Sequence, residues 1–288
     1  MILFKKITDL RNWLESQRKN GNSIGFVPTM GALHPGHLSL IETSVNKAAV
    51  TVCSIFVNPT QFNDPADFSK YPVTIESDIA LLEAAGTTAL FLPEVKEIYP
   101  HGKPVSKKYD LGYLETVLDG SSRPGHFQGV CTVVERLLDL VKPDHLMLGQ
   151  KDYQQCLVIT RLLELMGNEG KGIQIHICPT LREKNGLAMS SRNLRLSESD
   201  REKAALIFQC LLQIRNELQP GNLTTLKQKI SGLLTEQGFH PDYVELATAR
   251  NLTLIETWDG RQERVALIAA FLSGVRLIDN MLVFKATE

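Results

Sequence analysis

Ser23-Ile24-Gly25-Phe26-Val27-Pro28-Thr29-Met30-Gly31-Ala32-Leu33-His34-Pro35-Gly36-His37-Leu38-Ser39-Leu40 sets the architecture of the chain. Ile24 to Val27 is a short apolar run and reads as a buried strand. Pro28 has no N–H to donate and is expected to stop the ladder. Gly31 permits a tight turn, and Pro35 suits the first turn of a helix, where its missing donor costs nothing. Leu38, Ile41 and Val45 recur at i, i+3 and i+7, which marks them as the apolar face of that helix. The segment is therefore strand, turn and helix, with two histidines at the helix start. Unsatisfied N–H groups and the positive end of the helix dipole make such a place an anion site, above all for phosphate. His34 and His37 lie three apart, project from one side of the first turn and add two donors. Taken alone, the pair also suits surface or capping residues. A metal pair is the weaker reading, with no third ligand at helical spacing and no Cys-x-x-Cys.

The pattern repeats downstream. Ala49 to Val57 is a second continuous apolar run, as a strand covered on both faces requires. It ends in Asn58-Pro59-Thr60-Gln61-Phe62, at a strand's carboxyl end, where open α/β sheets bind ligands. Gln61 is thus a candidate, with plain loop structure as the alternative. Ile75 to Ala85 reads as a helix closed by Gly86, with Asp78 on its polar, solvated side, and Thr88 to Leu92 as a strand. Residues 94–112, with Lys103, Lys107 and Lys108, read as a flexible surface excursion. Gly120 to Gly129 leads into an apolar helix through Val141, and Arg123 with His126 forms a second candidate anion clamp. Asp144 to Leu148 is a strand ending in Gly149-Gln150-Lys151-Asp152. There Lys151 suits a phosphate and Asp152 a ribose hydroxyl, or Asp152 caps the next helix and Lys151 is solvated. Gln155 lies one turn into that helix, Tyr153 to Met166. Ile173 to Cys178 is the fifth strand. Met189-Ser190-Ser191-Arg192 then offers hydroxyls and a cation.

Strands alternating with helices predict a Rossmann-like, doubly wound parallel sheet. After Asn193 the alternation stops. A long helix capped by Ser197 runs to Leu218, a second covers 223–237, and Tyr243–Ala249, Arg264–Leu272 and Val275–Val283 follow. This is a smaller α+β module, so the expected division is 1–180 and 181–288, with the boundary near 178–185.

The chain has 288 residues, 43% hydrophobic and 22% charged, with a formal charge of −1, an ordinary globular balance. That charge argues against nucleic acid or a membrane held by bulk electrostatics. No apolar run approaches a membrane span, and Met1 to Lys6 is too short for a signal-peptide core. The five cysteines (Cys53, Cys131, Cys156, Cys178, Cys210) are odd in number and scattered, which suits buried reduced thiols in the cytoplasm.

His34-Pro35-Gly36-His37 and Met189-Ser190-Ser191-Arg192 resemble the HIGH and KMSKS signatures of the class I nucleotidyl-transfer superfamily. Five blocks in order make the resemblance more specific: Pro28 to His37, Phe56 to Phe62, Arg123 to Phe127, Gly149 to Gln155, and Gly186 to Asn193. Together they resemble the pantoate–β-alanine ligase family over essentially the full chain. The resemblance implies a catalytic domain for ATP and pantoate, a C-terminal lid and a homodimer. It also implies the reaction: pantoate attacks the α-phosphorus of ATP with the help of Mg²⁺, and β-alanine then attacks the pantoyl adenylate. His34, His37 and Lys151 are the implied catalytic residues. Met30, Gly31, Ala32, Leu33, Pro35, Gly36, Gly149, Gln150, Asp152, Leu181, Met189, Ser190, Ser191 and Arg192 join them around ATP. Gln61, Gln155, Met30, Asn58 and Arg123 fall to pantoate and β-alanine, and Asp78 to Mg²⁺. Pro35 stands where the family commonly has an acidic residue, and Leu181 where it often has valine. Three readings compete with this one. They are a nucleotidyltransferase acting on a phosphate ester, a truncated aminoacyl-tRNA synthetase, and a sensing module that kept the fold without the chemistry.

Overall fold

The computed structural model describes residues 1–62, 68–102 and 107–284. Six strands form one parallel sheet: β1 (Ile2–Phe4), β2 (Ile24–Thr29), β3 (Val50–Ile55), β4 (Ala89–Phe91), β5 (His145–Gly149) and β6 (Gln174–Cys178). Their order is β1-β4-β3-β2-β5-β6, so the chain steps outward from β2 to β3 and β4, then returns to the other side of β2. In such a sheet the ligand crevice lies where the strand order reverses. The loop Met30–His34 leaves β2 at that point.

Both faces of the sheet are covered, which is why β3 reads as an unbroken apolar run. Phe26 and Val52 point to one face, with Leu10 and Leu14 of α1 (Ile7–Lys19). Val27 and Cys53 point to the other, with Leu40 and Ile41 of α2 (Pro35–Lys47) and Leu82 of α3 (Ile75–Ala84). The first face also takes α4 (His126–Val141) and α5 (Tyr153–Leu165), through Val130, Leu137, Val158 and Leu162.

The fold departs from the sequence pattern at several points. Pro28 does not stop the ladder, because β2 runs on to Thr29, with Pro28 opposite Ser54. The Ile24 carbonyl accepts from Asp144 on the β5 side and the Thr29 carbonyl from Phe56 on the β3 side. Even-numbered residues of β2 therefore bond toward β5, where pairing ends at Phe26. The donor that Pro28 lacks is not needed there. The buried face of α2 is Leu40, Ile41 and Ser44, and Val45 is 43% exposed. The helix turns its small side inward: a Cβ on Gly25 would lie 2.2 Å from Ser44 Oγ. Ser44 Oγ in turn bonds Thr51 Oγ1. The 94–112 excursion is anchored, since Ile98, Tyr99, Tyr109 and Leu111 are buried in the core; Lys103 lies outside the described residues. The long C-terminal helix is two, α6 (Glu198–Ala204) and α7 (Leu206–Glu217). Ser197 caps α6 as expected, accepting from Asp200 N–H.

The chain divides into two compact units: Met1–Gly149 with Gln155–Pro179, and Gln150–Gln154 with Thr180 onward. In the second, an antiparallel sheet of β7 (His240–Thr248), β8 (Arg264–Leu272) and β9 (Val275–Phe284) has β8 at its centre. Ile207, Leu211 and Ile214 of α7 share its core with Ile230 and Leu234 of α8 (Thr224–Glu236) and with Ala266 and Ile268. The expected smaller α+β module is present. All five cysteines are buried thiols outside any disulfide, and no helix among the described residues is long and apolar enough to cross a membrane.

Candidate active site

Gly31 and Ala32 both take left-handed backbone angles, φ +83° and +49°. An alanine there carries strain, so something must hold it. The anchor is Asp78, which is only 1% exposed. Its Oδ2 accepts from Ala32 N–H at 2.9 Å and its Oδ1 from Leu33 N–H at 2.8 Å. Thr74 Oγ1 donates to Oδ1 at 3.0 Å. A side chain at position 31 would meet Ile55 Cγ2 at 3.0 Å and Asp78 Oδ2 at 3.1 Å, so glycine is required on both counts.

The loop delivers His34 as an extended N-cap of α2, with Pro35 at the first helical position. His34 N–H donates to His37 Nδ1 at 3.3 Å, which leaves the proton of a neutral His37 on Nε2. The two rings lie side by side, centroids 4.0 Å apart and tilted by 36°. Two imidazoles thus sit at a helix N-terminus, the arrangement that favours an oxyanion.

Gln61 closes a one-turn helix (Pro59–Gln61) beyond β3. Its Oε1 accepts from Asn58 Nδ2 at 3.3 Å, and its Nε2 reaches Met30 Sδ at 3.0 Å. Asn58 itself is buried. Its Nδ2 also donates to the Gly129 carbonyl, and its Oδ1 accepts from Thr60 and from Tyr99 Oη. Its amide is thereby engaged with protein, so Asn58 orients Gln61. Arg123 and His126, expected as an anion clamp, form a different device. Arg123 Nη1 donates to His126 Nε2 at 2.9 Å, and His126 Nδ1–H donates to the Gln61 carbonyl at 2.8 Å. Gln155 is half-buried on α5.

The second unit carries the remaining candidates. Gln150, Lys151 and Asp152 form one short turn, with Lys151 Nζ 3.7 Å from Asp152 Oδ1. Asn280 Nδ2 fastens that turn by donating to the Gln150 carbonyl at 3.0 Å and the Lys151 carbonyl at 2.8 Å. Beside Asn280, Asp279 makes a two-pronged ion pair with Arg182, whose guanidinium also lies 4.1 Å from the Phe208 ring centre. Burial pushes the Asp279 carboxyl above the usual range, and Arg182 opposes that shift. Arg182 opens a hairpin in which Met189 N–H donates to the Leu181 carbonyl. Gly186 turns it at φ +97°, with no room for a side chain against Phe208. Ser190 then caps a short turn (Ser191–Arg195) by accepting from Arg192 N–H. Leu181 is 42% exposed and Ser191 is buried.

The description "Pantoate-beta-alanine ligase" belongs to the family model that matches residues 2–282. The chain belongs to the pantoate–β-alanine ligase family. The pantothenate synthetase of Bacteroides fragilis is 42% identical over 282 residues, 98% of each chain. That of Cytophaga hutchinsonii is 42% identical over 286 residues, covering 98% of this chain and 99% of its own. The crystal structure of the Thermus thermophilus enzyme superposes with a TM-score of 0.90 at 37% identity, covering 99% of this chain and 100% of that one. The Francisella tularensis ligase, complexed with β-γ ATP and β-alanine, gives 0.82 at 37% identity and covers 98% of each. Family membership decides among the competing readings in favour of the ligase.

One expectation meets the geometry differently. Asp78 is not on a solvated side: it is buried, and both its oxygens accept protein donors inside the core. Among the described residues no group of three or more His, Cys, Asp or Glu could hold a metal. Three residues that sequence reasoning passed over, Arg182, Asp279 and Asn280, hold the Lys151 turn and the hairpin. The available signal was a polar pair, Asp279-Asn280, interrupting an apolar strand.

Proposed function

We propose that this ligase joins pantoate to β-alanine in two steps, as a pantothenate-forming enzyme. A pantoate carboxylate oxygen attacks the α-phosphorus of ATP, the bond to the β-phosphate breaks, and pyrophosphate leaves. The β-alanine nitrogen then attacks the acyl carbon, AMP leaves, and the amine proton passes to solvent. Both steps bring anions together or move negative charge onto phosphate, so fixed donors lower the barrier. The observation that carries this reading is the pair His34 and His37, seated on the N-terminus of α2 by a loop that Asp78 clamps.

Each candidate takes a role consistent with its chemistry. The Nε2–H of His37 and the ring of His34 donate to phosphate oxygens. Met30 to Gly36 line the nucleotide, with Gly149 and Gln150. Lys151 and Arg192 neutralise phosphates, Ser190 and Ser191 supply hydroxyls, Asp152 accepts from ribose, and Leu181 and Met189 face the base. Gln61 and Gln155 grip pantoate without adding charge beside its carboxylate. Mg²⁺ enters this proposal with ATP, since it is held chiefly by substrate phosphates in such sites and offsets their charge when bound. The lid role of 181–288, the homodimer and the cytoplasmic setting belong to the same proposal, and light scattering checks the dimer.

The deciding experiment is pantoate-dependent exchange of labelled pyrophosphate into ATP, with Mg²⁺ and without β-alanine. Exchange that requires pantoate supports the adenylate. Its absence, with ADP and phosphate formed once β-alanine is added, would replace the adenylate by an acyl phosphate.

A further inference from the structure

We propose that His126 is a positioning residue that sets the grip of Gln61 on pantoate; this rests on the reading of Gln61 given above. His126 is 6% exposed, on the first turn of α4, and its two ring nitrogens have roles that their partners dictate. A carbonyl accepts only, so the Nδ1 that faces the Gln61 carbonyl at 2.8 Å carries the proton. A guanidinium donates only, so the Nε2 that faces Arg123 Nη1 at 2.9 Å is bare. Arg123 therefore selects the tautomer, and the tautomer holds the Gln61 backbone.

The same helix reaches the Gln61 turn a second time. The Gly129 carbonyl accepts from Asn58 Nδ2, which also donates to Gln61 Oε1. A Cβ on Gly129 would lie 2.3 Å from the Thr60 carbonyl oxygen, so α4 and the turn are in backbone contact. Gln61 is thus held at its main chain by His126 and at its side chain by Asn58. Its Nε2 is left directed toward Met30, 31 residues away in sequence. Arg123-Pro124-Gly125-His126-Phe127-Gln128-Gly129 thus buttresses a substrate-gripping side chain. A neutral amide has two interchangeable faces, and the buttress decides which of them the ligand meets.

Two near-isosteres separate the two bonds of the ring. His126→Asn can place an amide N–H near the Nδ1 position and so retain the bond to Gln61, while His126→Gln places its amide nearer Nε2 and retains the bond to Arg123. In steady-state assays, H126Q raises the KM for pantoate about 10–100-fold, the scale set by misplacing a binding group by about 1 Å. Expected companions are an ATP KM within about twofold and a pantoate KM for H126N within about threefold of the parent, small changes on that scale. In a Gln61→Ala background, H126Q then has no further effect on pantoate KM, whereas any loss of melting temperature it causes is the same in both backgrounds. A merely structural role would move stability in both backgrounds and would not single out pantoate. Equal defects in H126N and H126Q, or a defect on ATP instead, would overturn the inference. Should H126Q fail to fold, Asn58→Asp tests the same grip from the side-chain end and should again move pantoate KM selectively; failure to do so overturns it. A Q61A variant with unchanged pantoate KM would instead sink the underlying reading of Gln61.

Discussion

Replacing Asp78 by asparagine tests the central anchor of the site. The substitution keeps the shape but turns one acceptor oxygen into an NH₂ group, which then faces a donor. Either Ala32 N–H or Leu33 N–H loses its partner, and the remaining bonds lose their charge assistance. A buried charge-assisted bond contributes about 1.5–3 kcal/mol, and an unsatisfied buried N–H costs a similar amount. The net loss is therefore about 3 kcal/mol, or a melting temperature lower by roughly 6–12 °C for a chain of this size. The strained Gly31–Ala32 turn relaxes and displaces His34, so pyrophosphate exchange falls about 100-fold. Differential scanning fluorimetry reads the first quantity, and exchange titrated with Mg²⁺ reads the second. The Mg²⁺ concentration for half-maximal exchange should stay within about twofold, because the ion is held by substrate phosphates. An unchanged melting temperature together with a tenfold or larger shift in that concentration would refute the anchor and restore Asp78 as a metal ligand.

Four further outcomes follow from the same geometry. His34→Ala or His37→Ala should lower exchange by about 10²–10³, roughly 3–4 kcal/mol, with circular dichroism unchanged; near-normal turnover would remove them from the phosphate site. Arg182→Met leaves the buried Asp279 carboxylate unpaired and should destabilise the protein by about 3–5 kcal/mol at neutral pH. The loss should shrink in acid, where that carboxyl takes up a proton; urea unfolding at two pH values checks both. Burial pushes the thiols of Cys53 and Cys131 up to about 12 and Cys210 up to about 11, so thiolate is scarce at pH 8. Native protein should therefore resist iodoacetamide at these three positions by mass spectrometry, and labelling should need denaturant. Burial lowers the pKa of His176, whose Nε2 lies 3.1 Å from His145 Nδ1. A lowered imidazole means that the unfolded chain binds more protons, so stability is lost as pH falls below about 6.5; His176→Gln should flatten that slope, and an unchanged slope would contradict it.

The polar contacts explain which features are legible in the one-dimensional pattern. Continuous runs such as Val50–Ile55 and the Pro-Gly turn before Leu38 are local, and their periods follow from the geometry of one strand or one helix. Asp78 meets Ala32 across 46 positions, and no local rule says that this carboxylate faces inward. Val45 has helical spacing from Ile41 and Leu38, yet the close approach of Gly25 to Ser44 turns another face of α2 to the sheet. Tyr99 lies in a stretch that reads as a surface excursion, whereas its hydroxyl donates to Asn58 in the core.

Local pattern alone carries the alternation of strands and helices, the smaller α+β module, the family and the residue types available for phosphate chemistry. Periodicity and contiguous motifs depend on neighbours a few residues apart, so they survive in one dimension. Packing settles the rest: Asp78 clamps the histidine loop, His126 and Asn58 hold Gln61, and Asn280 fastens Lys151. Each of those is a hydrogen bond between separate segments, whose direction is set by how the elements pack. The amino-acid order shows which donors and acceptors exist, and the fold decides which of them meet.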